Sequence, residues 1–238
     1  MKPIDQTLGD IHHRINHACI KANRSPNGVV LLPVSKKQPF MALRQAIELG
    51  LRAFGENYVQ EALEKISALQ EWRSLIQWHL IGPLQSNKTR EVAEYFDWVH
   101  TIDRVKIAQR LSDQRPPELA PLQVCIQVNI SGENSKSGVQ PAELADLAHA
   151  ILHMPRLHLR GLLAIPEANP DPELLRPSHR ALHQLLMQLR TDLGIDKLQT
   201  QQGVLDTLSM GMSADLEVAI EEGSTLVRVG SALFGDRQ

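Results

Sequence analysis

Aromatic side chains make up only 4% of this 238-residue chain. Any core must therefore be filled by aliphatic residues, which a hydrophobic content of 42% can supply. Cysteine is rarer still. Cys19 and Cys125 stand far apart, which excludes a disulfide framework and any cysteine-based zinc spacing, and reduced thiols in a cytoplasmic protein are expected. No apolar run reaches membrane-spanning length, and Met1–Asp10 has no apolar signal core. Charge of one sign is missing too. The 25 Lys and Arg against 27 Asp and Glu leave a net −2, with no basic block of the kind that tracks nucleic-acid phosphates. The glycine-rich turn of dinucleotide-binding sheets, Gly-x-Gly-x-x-Gly, is also absent. The expectation is a soluble protein with neither a membrane nor a nucleic-acid partner.

What is present is an alternation of short apolar runs with amphipathic segments. Residues 4–22 set Ile4, Leu8, Ile11, Ile15 and Ala18 at helical spacing, an extra helix ahead of the repeating pattern. Strands are then expected over 29–36, 52–57, 77–82, 98–102, 122–130, 157–165, 205–208 and 225–230. Between them fall helices over 39–49 and 58–69, one capped by Ser86 and running to Phe96, and one capped by Asp103. Pro141 opens another, 178–193 forms the next, and Ser213 starts a short acidic one. Eight strand-then-helix units without a linker predict an α/β fold, a (β/α)8 TIM barrel occupying residues 1–238 as one domain. An open doubly wound sheet is the alternative, and the missing glycine turn counts against it. Pro33 conflicts with a barrel strand, because it removes one ladder hydrogen bond; a bulge or a shifted strand start would accommodate it.

In a barrel, ligands meet the C-terminal ends of the strands. Strand parity puts Val30, Leu32, Val34 and Lys36 on one face, so the lysine points the way the core side chains do. Lys36 is either an ammonium reaching water on its alkyl stem or a desolvated amine able to form a Schiff base with an aldehyde. Arg228 shares a face with Leu226 and Gly230. Buried, it needs an acceptor, either a carboxylate such as Glu56 or Glu217 or an atom of a ligand. The loops after the seventh and eighth strands, Ser209–Ser213 and Gly230–Ser231, are rich in small residues. Phosphates bind at these positions in barrel enzymes, and Ser213 is expected at a helix N-terminus. An amine, an anion cradle and a donor-only guanidinium together suggest pyridoxal 5′-phosphate. A ring nitrogen facing Arg228 would stay unprotonated, which weakens the ring as an electron sink. Asn57 could steady the ring's polar edge and Met210 could pack on its face. The histidine pairs His13/His17, His149/His153 and His179/His183 have helical spacing but lack a third ligand, and read as solvated helix faces.

Several blocks carry a family resemblance: Val34-Ser-Lys36, Phe54-Gly-Glu-Asn-Tyr-Val-Gln-Glu61, Trp78-His-Leu-Ile-Gly-Pro-Leu-Gln-Ser-Asn-Lys88, Asn134-Ser-Lys-Ser-Gly138, Gly161-Leu-Leu-Ala-Ile-Pro166, Leu208-Ser-Met-Gly-Met-Ser213 and Val227-Arg-Val-Gly-Ser231. In this order, across nearly the whole length, they resemble the pyridoxal phosphate homeostasis protein family. The resemblance implies a barrel similar to the N-terminal domain of alanine racemase, the fold type III class, with pyridoxal phosphate held as an aldimine on Lys36. It further implies phosphate contacts from Ser213, Gly230 and Ser231, Arg228 at the pyridine nitrogen, and Asn57, His79 and Met210 lining the cofactor. Pro33 and the 166–177 loop depart from the family pattern.

The eight strands use up the chain, so neither a second domain nor a base on the opposite ring face is expected. The reading is therefore a cofactor carrier in the cytoplasm, a monomer that buffers pyridoxal phosphate or delivers it, with apoenzymes that require it as candidate partners, and has no dedicated reaction. Two other readings remain. One is a single-domain racemase or lyase, and the other is a phosphate-binding barrel enzyme without pyridoxal phosphate, in which Lys36 acts electrostatically.

Overall fold

The computed structural model describes residues 2–132, 137–167, 169–194 and 203–235. Eight parallel strands are present: β1 Val30–Pro33, β2 Ala53–Glu56, β3 Gln77–Leu80, β4 Trp98–Ile102, β5 Leu122–Gln127, β6 Leu157–Leu163, β7 Gly203–Ser209 and β8 Leu226–Val229. They run in the order β1-β8-β7-β6-β5-β4-β3-β2. A single bridge between Val34 and Gly55 joins the two ends of this row, so the sheet closes into a barrel.

Pro33 explains why that seam is so short. Val30 N and Val34 N donate to β8, at Thr225 O and Val229 O, whereas Ser35 N donates to Gly55 O beside β2. Alternation along the strand turns the donor position of Pro33 toward β2, where it has no N–H to give. The proline thus sits at a seam where ladder pairing is reduced to a single bridge. Neither a bulge nor a shifted start is needed.

Helices cover the outside: α1 Ile4–Lys21, α2 Phe40–Glu48, α3 Val59–Ala68, α4 Thr89–Tyr95, α5 Val105–Gln114, α6 Leu144–Leu152, α7 Arg176–Asp192, α8 Leu216–Glu221 and a short α9, Ser231–Phe234. Their buried stripes, such as Leu8, Ile11, Ile15 and Ala18 of α1, pack with outward strand residues such as Phe54, Trp78, Leu80, Val99 and Val227 into one continuous layer. Aliphatic residues dominate it, as the scarcity of aromatics requires, and Phe54 and Trp78 form one of its few ring contacts at 5.9 Å. The barrel interior is different. Small apolar groups, Leu32, Val34, Ile81 and Leu226 in one and Trp98, Cys125 and Leu163 in another, are separated by buried polar side chains.

Most differences from the sequence reading lie at element ends. Six of the eight strands stop one to three residues sooner at their C-terminal ends than expected, which leaves Lys36, Asn57, Gly82 and Gly230 just past the ladders, while β4 ends as expected and β7 runs one residue further. Ser86 opens a 3₁₀ turn, Ser86–Lys88, rather than capping α4, and Asp103 pairs with Arg104 rather than capping α5. Ser213 lies in a turn two residues before Asp215, the first-cap position of α8. The Asn134-Ser-Lys-Ser-Gly138 block falls partly outside the described residues. Among the described residues no helix is long and apolar enough to cross a membrane.

Candidate functional site

A cavity of about 250 Å³ opens at the C-terminal ends of the strands. Six polar or small residues named from the sequence line it: Lys36, Asn57, Ser213, Arg228, Gly230 and Ser231. Val34, Ile81, Ile165, Met212 and Ala214 supply the apolar wall. A larger groove, about 940 Å³, lies at the opposite end among Arg52, Gln77, Tyr95 and Asp97. Its Arg73 and Asp97 pair with each other at 3.1 Å, and its walls bring no amine to a buried position. The smaller cavity is the one built for chemistry.

Lys36 stands in a tight turn where β1 ends, beside Lys37 in the left-handed region at φ 59°. That turn is held from behind. Lys65 Nζ on α3 donates to Ser35 O at 2.6 Å, to Glu56 Oε1 at 2.7 Å and to Glu61 Oε1 at 2.7 Å. Ser35 Oγ donates to the same Glu56 oxygen at 2.6 Å, and Lys37 N donates to Glu61. Burial pushes the Glu56 carboxyl up from its ordinary range, against the opposing pull of Lys65.

Arg228 points inward from β8, as its parity with Leu226 requires. The expected carboxylate partners are engaged elsewhere, Glu56 with Lys65 and Glu217 with Arg14. Arg228 instead donates to neutral oxygens: Nη1 to Ser209 O and Oγ, the latter at 2.9 Å, and Nη2 to Ala164 O at 3.1 Å. Burial pushes this guanidinium down to about 10, so it remains a cation. The nearby Asp215 carboxylate opposes that shift without hydrogen-bonding to it, so a buried cation whose direct partners are all neutral oxygens is electrostatically prepared for an electron-rich ligand atom.

The turn at 211–215 forms the third side. Asp215 Oδ1 accepts from Met212 N at 2.7 Å, and His179 Nε2 on α7 lies 2.9 Å from Asp215 Oδ2. From α1, Arg14 Nη2 donates to Ser213 O at 2.9 Å. His179 is therefore buried and partnered, not part of a solvated helix face. Among the described residues, no three His, Cys, Asp or Glu side chains gather as metal ligands.

Two residues named from the sequence lie elsewhere. Met210 is fully buried in the layer between barrel and helices, and Met212 reaches the cavity instead. Gly211, at φ 90°, turns the chain between them and breaks the two-residue alternation. His79 lies inside the barrel against Trp98, the rings stacked at 5.1 Å, and borders a different cavity. Sequence reasoning missed Lys65, Arg14 and His100, and named Ser209 only as part of the small-residue loop after the seventh strand. Only Lys65 left a signal, a lysine four residues after Glu61 and next to Ile66 on the buried stripe of α3.

The residues present fit pyridoxal phosphate. Asn57 Oδ1 is buried without a partner, Arg228 hydrogen-bonds to no carboxylate, and a Cβ at Gly230 would meet Val34 O at 3.2 Å, so the cradle is cut for a bare backbone. The fold and the pocket together define a barrel of the alanine racemase N-terminal-domain class, and the model of that family matches residues 8–238. Alanine racemase of Clostridium difficile 630 has the same fold, with a TM-score of 0.72 at 10% identity over 97% of this chain and 56% of that one. PipY of Synechococcus elongatus PCC7942, solved with pyridoxal phosphate bound, superposes with a TM-score of 0.78 at 33% identity over 94% of this chain and 100% of that one. The pyridoxal phosphate homeostasis protein of Escherichia coli K12 is 51% identical over 238 residues, 100% of this chain and 98% of that protein. That of Pseudomonas aeruginosa is 52% identical over 237 residues, with 100% and 97% covered. The chain belongs to the pyridoxal phosphate homeostasis protein family.

Proposed function

We propose that this protein holds pyridoxal 5′-phosphate as a Schiff base on Lys36 and takes part in its intracellular homeostasis by buffering or delivering it, without a reaction of its own. The observation that carries the reading is the convergence of Lys36 with a carboxylate-free Arg228 on one cavity. When bound, the cofactor supplies an aldehyde. The Lys36 amine adds to its carbon and water leaves, so the bond is reversible and another amine can displace the lysine. Arg228 can only donate, so it favours an unprotonated ring nitrogen and disfavours carbanion chemistry. Ser213, Gly230 and Ser231 would hold the phosphate with N–H and hydroxyl groups, and the unpartnered Asn57 Oδ1 would take a ring substituent.

The comparisons support a carrier over an enzyme in one respect. The relatives that the chain matches over 98% and 97% of their own length are named for pyridoxal phosphate homeostasis and not for a reaction. Transfer to apoenzymes and a monomeric state belong to this same proposal. The decisive experiment is borohydride reduction of the pyridoxal phosphate-loaded protein followed by peptide mass spectrometry. One pyridoxyl adduct on Lys36, with the visible band lost in Lys36→Ala, is expected. An adduct spread over surface lysines would overturn the cofactor reading. Steady amino-acid turnover that Lys36→Ala abolishes would replace the carrier with a racemase or lyase.

A further inference from the structure

Behind Arg228 a line of buried polar side chains crosses the barrel. Ser209 Oγ on β7, which accepts from Arg228, lies 2.9 Å from His100 Nδ1 on β4. His100 Nε2 lies 2.9 Å from His79 Nδ1 on β3. Ser209 and His100 are fully buried and His79 is 3% exposed. At the far end His79 Nε2 is buried and has no partner. None of these groups touches the cavity, and the reading of the site above makes no use of them.

The proton count along this line has one best solution. A guanidinium only donates, so Ser209 Oγ presents a lone pair to Arg228. Each neutral imidazole donates once and accepts once. If every group donates away from the arginine, Ser209 O–H goes to His100 Nδ1 and His100 Nε2–H goes to His79 Nδ1. One orphan remains, the N–H at His79 Nε2. In the reverse direction, His79 Nδ1–H donates to His100 Nε2 and His100 Nδ1–H to Ser209 Oγ. That arrangement leaves two orphans, the Ser209 hydroxyl proton, which has no other acceptor among the described residues, and the His79 Nε2 lone pair. The field of the guanidinium favours the same solution, since it places every lone pair toward the cation.

We infer that His79, His100 and Ser209 form a one-directional relay that positions Arg228 and offsets its buried charge with aligned dipoles in place of a carboxylate. This rests on the reading of the cavity as a pyridoxal phosphate site only for its consequence there. A carboxylate on Arg228 would neutralise it and compete for its donors, whereas neutral dipoles keep the full positive charge facing the ligand. Burial holds both histidines neutral, with His79 pushed down to about 3 and His100 also far below its ordinary value. They therefore add no second positive charge beside the arginine.

Nitrogen-15 NMR of the histidine rings in the protein without added cofactor tests the relay directly. His79 and His100 are expected as neutral Nε2–H tautomers, with Nδ1 unprotonated in both. A Nδ1–H tautomer at either position, or an imidazolium at neutral pH, would overturn it. The functional arm compares His100→Leu with His100→Gln, whose amide can still accept and donate. His100→Leu is expected to weaken pyridoxal phosphate binding about tenfold and to shift the visible band of the loaded protein, and His100→Gln to restore both in part. Unchanged affinity and band in a folded His100→Leu would sink the positioning role. Failure of the unsubstituted protein to take up pyridoxal phosphate would sink the cofactor reading instead, and the tautomers would still decide the relay.

Discussion

Lys65 Nζ lies 2.7 Å from Glu56 Oε1, and both groups are buried behind the turn that presents Lys36. The turn that carries Lys36 is thus held by a second lysine that does not line the cavity. Removing one partner of a buried ion pair strands the other charge, at a cost of about 3–5 kcal/mol, more than the pair itself is worth. Lys65→Met is therefore expected to destabilise the protein by about that amount in urea unfolding. Lys65→Met combined with Glu56→Gln should recover much of the loss, because the carboxylate it leaves unpaired, Glu61, is one-quarter exposed to solvent. If the double variant is as unstable as the single one, the turn depends on the donor to Ser35 O and not on charge pairing.

Gly82 follows the end of β3 against the backbone of Asn57. A Cβ there would lie 2.2 Å from Asn57 O and 2.7 Å from Asn57 Cα, and backbone atoms cannot swing aside as a side chain can. Gly82→Ala is expected to cost about 1–3 kcal/mol and to displace Asn57 from the cavity. Binding of pyridoxal phosphate should weaken along with stability. A variant of normal stability and affinity would show that the Asn57 segment has slack that the packing does not suggest.

Acid should loosen the contact of α7 with α8. The Arg180 guanidinium bound to Glu222, joined by Arg176, holds that carboxyl down to about 2, against an ordinary 4.5. A carboxyl depressed on folding contributes stability that is present above its unfolded value and is lost as pH falls toward the folded one. The window here is pH 4.5 down to about 2. Glu222→Gln should flatten the fall of the urea midpoint across that window and leave the slope at higher pH unchanged. The pairs are near the surface, so the difference should shrink in high salt. An identical acid limb in both proteins would remove Glu222 from the account.

The barrel could be read from the sequence because each unit repeats one local pattern, an apolar run of strand length and then an apolar stripe at helical spacing. Strand ends were less legible. Runs such as Val29–Lys36 and Leu122–Ile130 stay apolar after pairing stops, because Val34 and Val128 make only isolated bridges past their strands. Lys36 and Arg228 could be picked out because each is a charge that strand parity directs inward, Arg228 within β8 and Lys36 in the turn just past β1. Lys65, which holds the turn under Lys36, sits on a helix stripe where a lysine ordinarily passes as a surface residue. The contact of His100 with Ser209 spans 109 residues and the width of the barrel, and no local pattern encodes it. Met210 and Met212 were confused because parity cannot be carried through the positive φ of Gly211.

The extra helix α1 reaches the site through one side chain. Arg14 Nε and Nη2 grip Glu217 at 2.6 and 2.8 Å, and Nη2 also donates to Ser213 O at 2.9 Å. The planar fork makes this double duty possible. A lysine keeps the charge but has a single nitrogen, which cannot stand at both the Nε and Nη2 positions that grip Glu217 and reach Ser213 O. Arg14→Lys should therefore release the Ser213 turn while leaving the surface ion pair largely intact, and such pairs are worth only about 0–1 kcal/mol. The expected result is a pyridoxal phosphate affinity several-fold weaker with an unfolding midpoint nearly unchanged. Spectrophotometric titration beside urea unfolding separates the two. Equal loss in both would mean that Arg14 fastens α1 to the barrel, and loss in neither would mean that the turn keeps its shape without α1. Only the split outcome, weaker binding at constant stability, assigns the first helix a part in holding the phosphate end of the site.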